Sequence, residues 1–302
     1  MMFNQEFFEM GQNVFSSVVK SLERFLKMSY LVMKRMIVNT VLFFAFFFNE
    51  VAVVTFAEGV PSAPDTITAI SKEMAFSRGE KLEYRIHYGW LDAGEAVLEV
   101  KQESKMINHK KTFHMVGTGR TVGSFNWFYK VRDRYETFMD EQDMVPVKFI
   151  RRVNEGGFII NQDQLYDHTK NIVDSDGKIM KVPPGIQDML SSFYTARNFD
   201  MSNVKAGDEL LLYTFMDDEI FPLKIRYMGK ETIKSSMGKI RCLKFHPVVQ
   251  EGRVFNAEED VTVWISDDKN HIPISIEAKL FVGSAKMDLK DYSGLAHPIR
   301  FE

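Results

Sequence analysis

EKLEYRIHY, residues 80–88, alternates without a break. Leu82, Tyr84, Ile86 and Tyr88 fall on one side, and Lys81, Glu83, Arg85 and His87 on the other. A period of two over nine residues predicts a half-buried strand, because successive side chains point to opposite faces. Gly89 and Asp92-Ala93-Gly94 supply turn chemistry, and residues 95–101 follow with Ala96, Leu98 and Val100 inward. The two runs together read as an antiparallel hairpin. Working outward, the same reading predicts strands at 112–117, 128–138, 145–153, 157–166, 210–216, 221–227, 239–247, 260–265 and 274–281. Gly156-Gly157, Asp176-Gly177 and the run Asp267-Asp268-Lys269-Asn270 punctuate them. Many short strands between tight turns, with one polar side each, specify antiparallel sheet.

Residues 183–198 break the pattern. Pro183-Pro184-Gly185 leads into Ile186, Met189, Leu190, Phe193 and Arg197, which recur on one face of a helix over 186–198. The expected fold is therefore mainly β: an antiparallel, strongly curved sheet or open barrel-like fold with one central helix packed against it. The helix separates two β-rich halves. Gly79-Glu80-Lys81-Leu82 and Gly207-Asp208-Glu209-Leu210 share a Gly-acid-x-Leu start, a slight sign of duplication.

The N-terminal region carries a different signal. Met33-Lys34-Arg35-Met36 is positively charged, residues 37–48 (IVNTVLFFAFFF) are mostly apolar, and Thr55-Phe56-Ala57 ends in small residues. That order is the signal-peptide pattern, and the apolar run is shorter than the ~20 residues a spanning helix needs. A periplasmic protein is expected, or, without cleavage, one anchored in the inner membrane and facing the periplasm. The expected organisation is 1–32 as an upstream segment that precedes the true start, 33–57 as signal peptide, 58–75 as linker and 76–296 as a single β-rich domain. Membrane contact is expected only through the signal or anchor segment.

Composition narrows the function classes. The 302 residues hold 26 Phe and carry a net charge of −3 with no long run of one sign, so there is no footprint for nucleic acid. Cys242 is the one cysteine and lies in the apolar-alternating IRCLKF, where a buried packing role is expected. The seven histidines show no metal-ligand spacing, and no metal or cofactor is expected. Asp174-Ser175-Asp176-Gly177 is a turn, too short for a calcium loop. On the helix, Asp188, Tyr194 and Arg197 are candidate ligand-binding residues at a mouth of the sheet. The alternative makes Asp188 a first-turn acid and pairs Arg197 with a sheet carboxylate such as Glu80. Trp127 is a fourth candidate, since exposed Trp stacks on sugars; core packing is the commoner fate of Trp90, Trp127 and Trp264.

Several separated motifs resemble one family as a set. They are Phe76-x-x-Gly79-Glu80-x-Leu82-x-Tyr84-x-Ile86-x-Tyr88-Gly89, Ala93-Gly94, Phe128-Tyr129-Lys130, Asp133-x-Tyr135-Glu136-Thr137, Gln187-Asp188-x-x-Ser191-x-Phe193-Tyr194-x-x-Arg197 and Gly283-Ser284. In that order, over residues 76–289, the chain resembles the bacterial exported family called domain of unknown function 3108. The resemblance implies an envelope location and a mostly β architecture, with no agreed activity. Three functions fit: a non-enzymatic binding or carrier protein for a lipid or other apolar envelope ligand, a scaffold binding another envelope protein, or a hydrolase of envelope glycans or lipids. The last would require carboxylates such as Glu80 and Asp188 to face each other across a cleft.

Overall fold

The computed structural model describes residues 66–248, 261–280 and 283–302. The expected upstream segment, the signal segment and residues 58–65 lie outside the described residues. Alternation does what it predicts in β2 (Lys81–Tyr88), where Leu82, Tyr84 and Ile86 are buried, and in β3 (Leu91–Val100), where Ala96, Leu98 and Val100 are. An antiparallel meander continues through β4 (Lys105–Ile107), β5 (Lys110–Thr121), β6 (Arg132–Asp140), β7 (Pro146–Glu155), β8 (Phe158–Asp167), β9 (Ile172–Ser175) and β10 (Lys178–Lys181). The second half runs β11 (Glu209–Met216), β12 (Glu219–Ser235), β13 (Gly238–Pro247), β14 (Val261–Ser266), β15 (Pro273–Lys279) and β16 (Ser284–Ser293). β1 (Thr66–Ile67) adds to β11 in parallel, so part of the expected linker is sheet.

The halves join where β16 pairs with β2, giving one 16-stranded sheet among the described residues. It does not close: β10 and β11 share no ladder. The linking chain between them carries α2 (Met189–Arg197), which packs against β5, β6 and β11. Just before it, Gln187 pairs with Thr214 of β11, donating to Tyr213 O at 2.8 Å and accepting from Phe215 N at 2.7 Å. Ion pairs Arg151–Asp217 (2.5 Å) and Lys178–Asp218 (3.1 Å) also span the seam. The architecture is therefore a curved, open, barrel-like sheet with α2 as its central helix.

α2 begins later than the expected residue 186, because Ile186-Gln187 is drawn into sheet pairing. Asp188 caps it: its Oδ1 accepts from Leu190 N and Ser191 N, both at 2.8 Å, while Ser191 Oγ accepts from Asp188 N at 2.8 Å. The helix is buried on more than one face, with Ser191, Ser192 and Thr195 inside alongside Met189 and Leu190. Gly117 of β5 makes room for it; a Cβ there would sit 3.1 Å from Leu190 Cδ2. The strand expected at 128–138 starts at Arg132. Residues 125–128 instead form a single helical turn, α1 (Phe125–Phe128), whose exit is tied by Thr121 Oγ1, which donates to Tyr129 O and accepts from Val131 N.

The duplication hint has a structural counterpart. Gly79 N donates to Val100 O and Val100 N to Glu80 O; Gly207 N donates to Tyr227 O and Tyr227 N to Asp208 O. Both glycines take positive φ (84° and 101°), which a side chain disfavours. The starts of β2 and β11 are built alike. Cys242 is buried in the core, and burial pushes its thiol up to about 12.

Candidate ligand site in the sheet interior

The inner faces of β6, β7 and β8 carry polar side chains. Register places Tyr135 of β6 beside Arg151 of β7, with Asp133 one inward step and Glu155 two inward steps further along. All four are nearly inaccessible to solvent. Asp133 and Glu155 lie close enough for their carboxyls to perturb each other, and Asp133 Oδ1 accepts from Asn154 N at 3.0 Å. Burial, then the neighbouring Asp133, pushes Glu155 up to about 8. Burial also raises Asp133. The pair holds one proton near neutrality, since two adjacent buried carboxylates do not both ionise. Glu155 Oε1 and Arg151 Nε are buried with no hydrogen-bond partner among the described residues. Such atoms cost free energy and offer ready capacity for a polar ligand group.

Next to this cluster lies a cavity of about 40 Å³. Met189 and Leu190 of α2 form one wall, and Ile86, Leu98 and Met287 of the sheet form another. Asp133 and Tyr135 also border it. The interior thus joins an apolar space to a carboxyl and a phenol. Chemically it suits an amphipathic guest, with hydrocarbon between helix and sheet and a hydroxyl or amine toward the acid pair.

The four residues singled out from sequence do not converge on this space. Asp188 is the helix cap; its Oδ1 accepts from Thr137 Oγ1 at 2.7 Å, and its Oδ2 is buried without a partner. Burial raises its carboxyl to about 7. Tyr194 is fully buried beside Phe76 and Phe193, with ring centroids 5.0 and 5.1 Å away. Arg197 makes the pairing with Glu80 that the alternative reading describes. Nη1 and Nη2 donate to the two carboxylate oxygens at 2.6 and 2.8 Å, Nε to Asn270 O and Nη2 to Ala75 O, both at 3.0 Å. With Asp188, Tyr194 and Arg197 sealed inside, no mouth forms around them. Trp127 lies on α1 and is 82% exposed, and Trp90 is 89% exposed. Core packing fails for these two because hairpin tips project beyond the sheet. Asp133, Tyr135, Arg151 and Glu155 were not singled out, although Asp133-x-Tyr135 stands in the family motif.

Residues 83–290 match the family described as Protein of unknown function (DUF3108). The chain belongs to this family. Solved structures similar to this DUF3108 chain include a β-barrel-like protein of domain of unknown function DUF1849 from Brucella abortus. It has 10% identity and a TM-score of 0.47, over 73% of this chain and 99% of that one. A protein of Chlamydia trachomatis is similar at 6% identity and a TM-score of 0.34, over 75% of this chain and 92% of that one. Among curated proteins, none matches the DUF3108 chain.

Proposed function

We propose that this DUF3108 protein is an exported, non-enzymatic envelope protein that binds an apolar envelope ligand between α2 and the inner face of its sheet. The apolar cavity bordered by Asp133 and Tyr135 carries this reading. At about 40 Å³ it is far smaller than the ~150 Å³ cavity that admits benzene. Binding therefore requires Met189 and Leu190 to yield. Methionine adapts readily to an altered space, and the seam between β10 and β11 lacks a ladder that would resist such movement. Export, to the periplasm, rests on the charged, apolar and small-residue order of residues 33–57.

The hydrolase version built on Glu80 and Asp188 has no support in the geometry. Glu80 is held by Arg197 and Asp188 by the helix N-terminus. Asp133 and Glu155 are both buried inside the sheet rather than flanking an open cleft as paired glycosidase carboxylates do. Among the described residues a strand-pairing scaffold is disfavoured by the short edges, two residues in β1 and four in β10.

Native mass spectrometry of the chain purified without detergent stripping tests the proposal. A retained apolar molecule is expected as a discrete added mass. Repeated recovery of the bare chain from several lipid backgrounds would overturn it.

A further inference from the structure

The connections of an antiparallel meander alternate between its two ends. The β2–β3 turn at Gly89-Trp90, α1 between β5 and β6, and the β7–β8 turn at Gly156-Gly157 therefore share one end. That end carries Trp90, Trp127, Phe128, Phe158 and Ile159, each at least half exposed. Among the described residues the opposite end exposes far less, with Ile70 and Met106 its large apolar side chains above the same level. Exposed aromatics on three separate tips need an explanation, because each leaves a large apolar surface in water.

A second observation lies directly beneath the tips. The outer face of β3, β5, β6 and β7 forms a groove of about 440 Å³ around Arg120, Arg132, Arg134 and Arg152, with Val97 and Thr118 between them and Ile159 at its border. Three carboxylates serve these arginines, and two of them are shared with a lysine. Glu95 holds Arg120 and Lys290, Glu136 holds Arg134 and His114, and Asp163 holds Arg152 and Lys148. Arg132 donates only to neutral oxygens, those of Thr121, Val131 and Asn126. Lys130 is exposed beside it. The patch is thus basic in a chain whose net charge is −3.

We propose that these hairpin tips and the arginine groove form a docking surface for a lipid bilayer bearing anionic phosphate headgroups. Trp and Phe settle at the boundary between headgroups and acyl chains. Arginine binds phosphate through paired N–H donors and keeps its charge at any physiological pH. The apolar groups stand on separate tips rather than in one groove, which suits a flat surface better than a bound peptide. The surface lies on the outside of the sheet and does not depend on the interior ligand site.

The test uses the chain as cells process it, with Trp90→Phe and Trp264→Phe leaving Trp127 as the reporter. Vesicles of phosphatidylcholine, with or without a third of phosphatidylglycerol, carry bromine on their acyl chains. Expected is at least twofold stronger quenching and a blue shift of Trp127 with the anionic vesicles. Both should be lost in Arg132→Glu/Arg134→Glu while circular dichroism is unchanged. Equal quenching on neutral vesicles, or no quenching on either, overturns the proposal. So does a full response to millimolar inorganic phosphate without vesicles, which would mark a soluble-anion site. Because an anchor segment elsewhere in the chain does not quench Trp127, vesicle association alone cannot mimic the expected result. An empty interior in native mass spectrometry would leave this surface standing.

Discussion

Arg197 and Arg151 are both buried inside the same sheet, one 2% and the other 4% exposed, yet they are partnered differently. Arg197 uses Nε, Nη1 and Nη2, binding Glu80 through both oxygens and two backbone carbonyls. It ties the end of α2 to the start of β2, to Ala75 and to the turn at Asn270, pieces far apart in sequence. Arg151 bonds Asp217 through Nη1 at the seam and leaves Nε unpartnered, beside an acid pair that holds a proton. A satisfied buried charge fixes one arrangement; an under-satisfied one keeps capacity in reserve. The Glu80–Arg197 end is thereby the structural lock, and the Asp133–Glu155–Arg151 side is where a guest could add bonds.

Breaking the lock gives the largest expected effect. Arg197→Met leaves Glu80 buried without its counter-charge and should lower unfolding free energy by about 3–5 kcal/mol. Urea titration reads this, and the double variant Glu80→Gln/Arg197→Met should recover part of the loss. An Arg197→Met chain as stable as the parent would remove the distinction between the two arginines.

The acid pair predicts a pH dependence of definite sign. An unfolded glutamate ionises near pH 4.3, whereas folded Glu155 ionises near 8 and folded Asp188 near 7. The folded chain binds more protons between those values, so this stabilisation is complete at low pH and is lost as pH rises through 7 to 8. His114 and His271, both lowered by burial, act in the opposite direction below about pH 6.5. From pH 6.5 to 8, stability should therefore fall by up to about 1.4 kcal/mol per pH unit for each proton lost. Glu155→Gln should flatten the slope, and an unchanged slope would contradict the shared proton.

Smaller effects sharpen the picture. Asp188→Asn keeps a good cap residue and should change stability near pH 6 by less than about 1 kcal/mol in thermal melts. It should also remove the part of the slope near pH 7. Trp127→Ala, on an exposed tip, should stay within about 0.5 kcal/mol of the parent.

How much of this was legible follows from contrast in the pattern. Residues 80–88 alternate apolar with charged, so strand, face and inward residues were all readable. Ser284–Ser293, which joins the two halves, also alternates, with Ala285, Met287 and Leu289 inward, yet that strand was not among those expected. Residues 132–137 alternate as well, but both rows are polar: Arg132, Arg134 and Glu136 outside, Asp133, Tyr135 and Thr137 inside. Hydrophobicity cannot distinguish two such faces, and only the register beside Arg151 and Glu155 brings the interior cluster together. Helix α2 was readable from its apolar spacing. Its burial on more than one face was not, because Ser191, Ser192 and Thr195 hide their hydroxyls in local bonds.

The interior site is tested most directly by titrating a fluorescent fatty alcohol into the parent chain and into Ala96→Val. Ala96 lines the cavity, and valine suits a strand while filling that space. The account predicts saturable binding to the parent, weakened at least tenfold in the variant with the thermal melt preserved. Equal affinity in both chains, or no binding to the parent, would contradict it.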